Sequence, residues 1–122
     1  MEPHVLLVED DPDFAASLEL ALGLIDVSVK KAFSAEEAIE MVDSGEHNFR
    51  LIFCDIKLPG ADGIACLTEL FSRNEKFVGV VMTGFRDEAL FDRARSAGAE
   101  EILLKPFRMS EFMDLAKRYM AD

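Results

Sequence analysis

The chain has little of what marks exported, membrane-spanning or metal-ribbon proteins. Its 122 residues include two cysteines and two histidines. Cys54 and Cys66 form no CxxC pair and lie in apolar settings, Phe53-Cys54 and Ala65-Cys66-Leu67. They read as reduced core residues. His4 and His47 are isolated and lack ligand spacing, so neither is expected to bind metal. No apolar run approaches the roughly 18 residues needed to span a membrane. The opening Met1-Glu2-Pro3-His4 lacks the basic start and long apolar stretch of a signal peptide. The expectation is a cytoplasmic protein with no membrane partner. Basic residues are also scarce, 13 against 24 acidic ones, for a net charge of −11. Such a field repels nucleic acid, so direct binding to it is not expected. Repeats, low-complexity tracts and linker-like stretches are absent. One domain over residues 1–122 is expected, with no effector domain in the chain.

What is present is an alternation of short apolar runs with helical segments. Val5-Leu6-Leu7-Val8 is continuous, as in a strand covered on both faces. Asp11 followed by Pro12 opens a helix with Phe14, Leu18, Ala21, Leu22 and Ile25 at helical spacing. Val27-Ser28-Val29 reads as a second strand, with Lys30-Lys31 as its solvated end. Ser34-Ala35-Glu36-Glu37 is a capping box opening a helix through Ala38, Ile39 and Val42, which Gly45 ends. Leu51-Ile52-Phe53-Cys54 is a third strand, and Asp62 caps a helix carrying Ile64, Leu67, Leu70 and Phe71. Residues 77–82 form a fourth strand, and residues 87–97 a helix closed by Gly98. Ile102-Leu103-Leu104 is the fifth strand, and Met109, Phe112, Met113, Ala116 and Met120 mark the last helix. Five βα units in succession imply a parallel sheet with helices on both faces, because right-handed crossovers must cover it.

In such sheets ligands bind beyond the C-terminal strand ends. After the first strand come Glu9, Asp10 and Asp11; after the third, Asp55; after the fourth, Thr83; after the fifth, Lys105-Pro106. Carboxylates, a hydroxyl and an ammonium thus converge on one edge, which chance loop ends do not explain. Acidic residues after the first strand also suit the positive end of the first helix, a role fitting Asp11. Gly60 and Gly63 follow Asp55, where close approach or positive φ is expected.

Val8-Glu9-Asp10-Asp11-Pro12, the run from Asp55 to Gly63, Met82-Thr83-Gly84 and Leu104-Lys105-Pro106-Phe107 resemble the signature segments of response-regulator receiver domains. The match covers the whole chain in order. The resemblance implies a flavodoxin-like (βα)5 three-layer sandwich, its parallel sheet ordered 2-1-3-4-5. It further implies that Asp55 accepts a phosphoryl group from a phosphohistidine donor, a sensor histidine kinase or a histidine phosphotransfer protein. A carboxylate can attack phosphorus to form an acyl phosphate, but both groups are anionic, so a dication is needed between them. The family's ion is Mg²⁺, with Mn²⁺ as a substitute. By resemblance Asp10 and Asp55 ligate it directly, the backbone carbonyl of Lys57 is a third ligand, and Glu9 acts through water. Thr83 and Lys105 meet the phosphoryl oxygens, Gly84 gives the switch loop its freedom, and the Lys105-Pro106 peptide is expected to be cis.

One position departs from the family. Three residues before the lysine it usually places an aromatic that swings inward on activation; here Ile102 stands there. Output is expected through the surface of the fourth helix, fifth strand and fifth helix, to a fused or separate output domain. The alternative is a phosphorelay or free-standing receiver acting through protein–protein contact; the family also allows a phosphorylation-dependent dimer. Self-catalysed transfer and dephosphorylation are expected rather than enzymatic turnover. Phosphatases that use an aspartyl phosphate carry a second aspartate two residues after the nucleophile, where this chain has Lys57. A flavin carrier needs a hydroxyl- and glycine-rich loop after the first strand, where Glu9-Asp10-Asp11 would repel the flavin phosphate. An inactive receiver would lack site residues that are all present here.

Overall fold

A computed structural model describes residues 5–45, 48–73 and 76–120; His4 and His47 lie outside the described residues. The order is β1 (Val5–Val8), α1 (Pro12–Gly23), β2 (Val29–Ala32), α2 (Ala35–Asp43), β3 (Leu51–Asp55), β4 (Lys57–Leu58), β5 (Ala61–Asp62), α3 (Gly63–Arg73), β6 (Val78–Thr83), α4 (Glu88–Ser96), β7 (Ala99–Leu104) and α5 (Met109–Met120). Five strands form one parallel sheet in the order β2-β1-β3-β6-β7, the expected 2-1-3-4-5 pattern.

Strand side chains alternate between faces, and each face here has its own core. Leu6, Val8, Ile52, Cys54 and Val81 pack with Ala38 of α2, Leu67 of α3 and Ala94 of α4. Val5, Leu7, Leu51, Phe53, Val80 and Met82 pack with Leu18 of α1 and Phe112 of α5. Each fully buried leucine or phenylalanine contributes about 1.5–3 kcal/mol to this three-layer arrangement. Cys54 and Cys66 are buried free thiols, as the sequence suggested.

Two readings need correction. The second strand does not include Val27 or Ser28. Asp26 takes φ of 60° and the Val27 N–H donates to the Leu22 carbonyl at 3.0 Å, so these residues turn the chain out of α1. The strand instead runs through Lys30 and Lys31. It lies at the sheet edge, where charged residues are tolerated and discourage further pairing, and Lys31 pairs with Glu19 of α1 at 2.8 Å. Second, the segment after Asp55 is more than a loop: β4 and β5 make a short antiparallel hairpin, Lys57 opposite Asp62. Gly60 turns it with φ of 62°. Gly63 must be glycine for a different reason, since a Cβ there would collide with the Asp55 carbonyl. Its N–H donates to the Ile56 carbonyl at 2.7 Å, folding α3 back onto the end of β3.

Candidate functional site

The site forms where buried strands end at one edge of the sheet. Register sets the side chains level: Val8 pairs with Cys54, and Asp55 with Met82, so Glu9, Asp55 and Thr83 emerge together. The Lys105 N–H donates to the Thr83 carbonyl at 2.7 Å, bringing the lysine to the same edge. Glu9, Asp55 and Thr83 are the buried polar residues among those described, whereas Asp10 is exposed.

Lys105 Nζ donates to Glu9 Oε1 at 2.9 Å and to Asp55 Oδ2 at 3.0 Å. The other Asp55 oxygen accepts from the Lys57 N–H at 3.2 Å, and Glu9 Oε2 accepts from the Asp11 N–H at 3.1 Å. Although Glu9 and Lys105 are partners, both are pushed upward in pKa. Burial raises the Glu9 carboxyl, with the Asp55 charge adding to it, against hydrogen bonds from Asp11 and Lys105. Burial works against the Lys105 ammonium, but hydrogen bonds and charge from Glu9 and Asp55 outweigh it.

Oxygen atoms of Glu9, Asp10 and Asp55 lie within 4.8 Å of one another. Three convergent carboxylates offer the hard oxygen donors that Mg²⁺ and Mn²⁺ take, so the residues fit such an ion. Asp11 turns away to cap α1, its Oδ1 accepting from the Asp13 and Phe14 N–H groups. Thr83 Oγ1 accepts from the Phe85 N–H at 3.0 Å. The cap of α4 falls to Asp87, and Thr83 lines the cavity beside Asp55. Asp62 caps the start of α3 as expected and also pairs with Arg93 of α4 at 2.7 Å.

Two cavities flank the carboxylates and share Lys105. One, about 240 Å³, is lined by Asp55, Lys57, Thr83, Gly84 and Phe85. The other, about 450 Å³, is lined by Glu9, Asp11, Phe14, Pro106 and Phe107. The Lys105-Pro106 peptide is cis. Ile102 is half-buried on β7 and packs toward the core cluster that includes Ala94. Sequence reasoning did not place the two rings that meet lysines at this edge. Phe14 was legible only as a helical core position, yet Lys105 Nζ lies 4.8 Å from its ring centroid. The direction of Phe85 was not legible; its ring is half-exposed and faces Lys57 Nζ at 5.1 Å.

The family model of the response regulator receiver domain matches residues 5–117. The chain belongs to this family. Among relatives of this receiver domain, the transcriptional regulatory protein AruR of Pseudomonas aeruginosa is 35% identical over 121 residues, covering 96% of this chain and 49% of that protein. The transcriptional regulatory protein MalR of Bacillus subtilis is 31% identical over 116 residues, with coverage of 95% and 49%. The receiver domain thus spans about half the length of these curated relatives. The solved receiver domain of NtrX from Brucella abortus superposes with a TM-score of 0.86 at 26% identity, over 95% of this chain and 97% of that one. A CheY-like receiver domain from Methanospirillum hungatei reaches 0.89 at 23% identity, over 97% and 93%, a likeness of fold alone. Among the described residues no helix is long and apolar enough to cross a membrane.

Proposed function

We infer that this receiver domain accepts a phosphoryl group on Asp55 from the phosphohistidine of a sensor histidine kinase or phosphotransfer protein, in a Mg²⁺-dependent reaction in the cytoplasm. The observation that carries this reading is the Lys105 ammonium held between Glu9 and Asp55, beside a cluster of three carboxylates. Asp10 and Asp55 would hold the ion directly, with the Lys57 carbonyl as a third ligand and Glu9 acting through water. When bound, the ion offsets the repulsion between the Asp55 carboxylate and the incoming phosphoryl oxygens.

Asp55 attacks the phosphorus with a carboxylate oxygen. The P–N bond to the donor imidazole breaks, and its electron pair returns to the ring nitrogen. The ammonium of Lys105 and the hydroxyl of Thr83 take hold of phosphoryl oxygens, stabilising the charge spread over them in the transition state. Water later cleaves the acyl phosphate, releasing inorganic phosphate and restoring the carboxylate. Because the product stays on the protein between these events, the cycle is a switch rather than substrate turnover. Residues 1–122 act as one domain, and the output is a protein–protein contact on the surface of α4, β7 and α5.

The test is mass spectrometry after incubation with acetyl phosphate and Mg²⁺. One added phosphoryl group is expected on the parent and essentially none on Asp55→Asn. Equal labelling of the variant would move the acceptor elsewhere.

A further inference from the structure

We propose that Phe14 is a positioning residue for phosphoryl transfer, its ring holding the Lys105 ammonium in place over Asp55. The proposal rests on the receiver reading and adds a residue to it. Two of the three Lys105 N–H donors are committed to Glu9 and Asp55, and the ammonium lies 4.8 Å from the Phe14 ring centroid. That is within the distance at which a ring face attracts a cation.

The ring is itself held. Phe14 is the third residue of α1, and its N–H donates to the capping carboxylate of Asp11 at 3.3 Å. Its ring lies 5.8 Å from Phe107; Phe107 lies 6.1 Å from Phe112, and Phe112 lies 4.5 Å from Phe53 in the core. A series of rings therefore runs from the interior to the lysine. Phe14 packs at the margin of the core cluster that holds Leu18 and Phe112, and its half-buried ring also lines the cavity beside Lys105.

The ring does something the carboxylates cannot. Once Asp55 becomes an acyl phosphate, Lys105 must pass from the carboxylate oxygen to the phosphoryl oxygens while buried Glu9 still holds it. The ring's attraction does not depend on the charge of Asp55. It keeps the ammonium near the phosphoryl oxygens through the change.

The experiment replaces Phe14 in the full chain with phenylalanines carrying one, two and three ring fluorines, which drain the ring face of electron density at nearly constant size. Phe14→Tyr and Phe14→Leu complete the set. Labelling rates with acetyl phosphate and Mg²⁺ should fall stepwise along the series, by about tenfold at the third fluorine. Phe14→Tyr should stay near the parent, and Phe14→Leu should match the most fluorinated variant. Proton spectra should show ring-current shifts on the Lys105 side-chain methylenes of the parent, lost in Phe14→Leu. A flat series with Asp55 still labelled overturns the positioning role and leaves the receiver reading intact. A parent that takes no phosphoryl group on Asp55 overturns the receiver reading, and this proposal with it.

Discussion

Asp55 stands between two cation–aromatic pairs of similar geometry and different embedding. Lys105 lies 4.8 Å from the Phe14 ring on one flank, and Lys57 lies 5.1 Å from the Phe85 ring on the other. The Lys105 side chain is 27% exposed and bound to two carboxylates that are nearly inaccessible. Lys57 is exposed, and Phe85 is 50% exposed on a segment whose N–H donates to Thr83. A cation over a ring contributes about 0.5–1 kcal/mol in water and about 2 kcal/mol or more when desolvated. Embedding, more than distance, therefore separates these flanks. The first holds its charge among buried carboxylates; the second leaves its charge in water.

The largest effect should come from breaking the held flank. Lys105→Met removes the ammonium but keeps a long apolar side chain. Labelling by acetyl phosphate should fall about 100-fold or more, the usual cost of one lost donor to a developing charge. Mg²⁺ should bind more tightly to the same variant, because Glu9 and Asp55 lose the cation that now neutralises them. Rate and affinity thus move in opposite directions. A variant that kept the parental rate would remove Lys105 from the chemistry and erase the contrast between flanks.

The polar residues of both flanks were legible in the sequence, and the ring that each lysine meets was not. Glu9, Asp55 and Lys105 each follow a short apolar run, and parallel topology then forces them to one edge. Helix starts were equally legible, because Asp11, Ser34 and Asp87 cap through local hydrogen bonds. Phe14 was hidden because its spacing is that of a core residue, and spacing does not report what a ring faces. The contact between Lys57 and Phe85 was hidden because it joins β4 to the segment after β6, which share no period. The β4–β5 hairpin is too short for alternation to register. The second strand was misplaced for a related reason: an edge strand accepts lysines, so hydropathy located the preceding turn instead.

On the open flank, Phe85→Leu should have a smaller effect. It removes the ring opposite Lys57 and widens the cavity over Asp55. Water then reaches the acyl phosphate more easily, so hydrolysis of the labelled protein should speed up about two- to fivefold, in line with an exposed cation–ring contact. Labelling should change less. A loss as large as that of Lys105→Met would show that the second flank is held as firmly as the first.

The smallest effect should come from Ile102, which lies outside both cavities. It pairs with Val81 of β6 and packs half-buried toward the cluster containing Leu90 and Ala94. Ile102 has no ring to move between exposed and buried positions, and a β-branched side chain in a strand is restricted at χ1. Activation then rests on Thr83 and the backbone of Gly84-Phe85-Arg86. With beryllofluoride and Mg²⁺ as a stable phosphoryl mimic, backbone amide signals near Thr83 and Lys105 should shift more than the Ile102 methyls. Ile102→Tyr should fold, with stability within about 1 kcal/mol of the parent by denaturant titration, because a half-exposed site lets the larger ring lie outward. A loss above about 3 kcal/mol would instead place Ile102 in the core, where overpacking reaches that size. A complete change of Ile102 rotamer with the mimic would restore the side chain as the switch, and the backbone route through Gly84 would then be wrong.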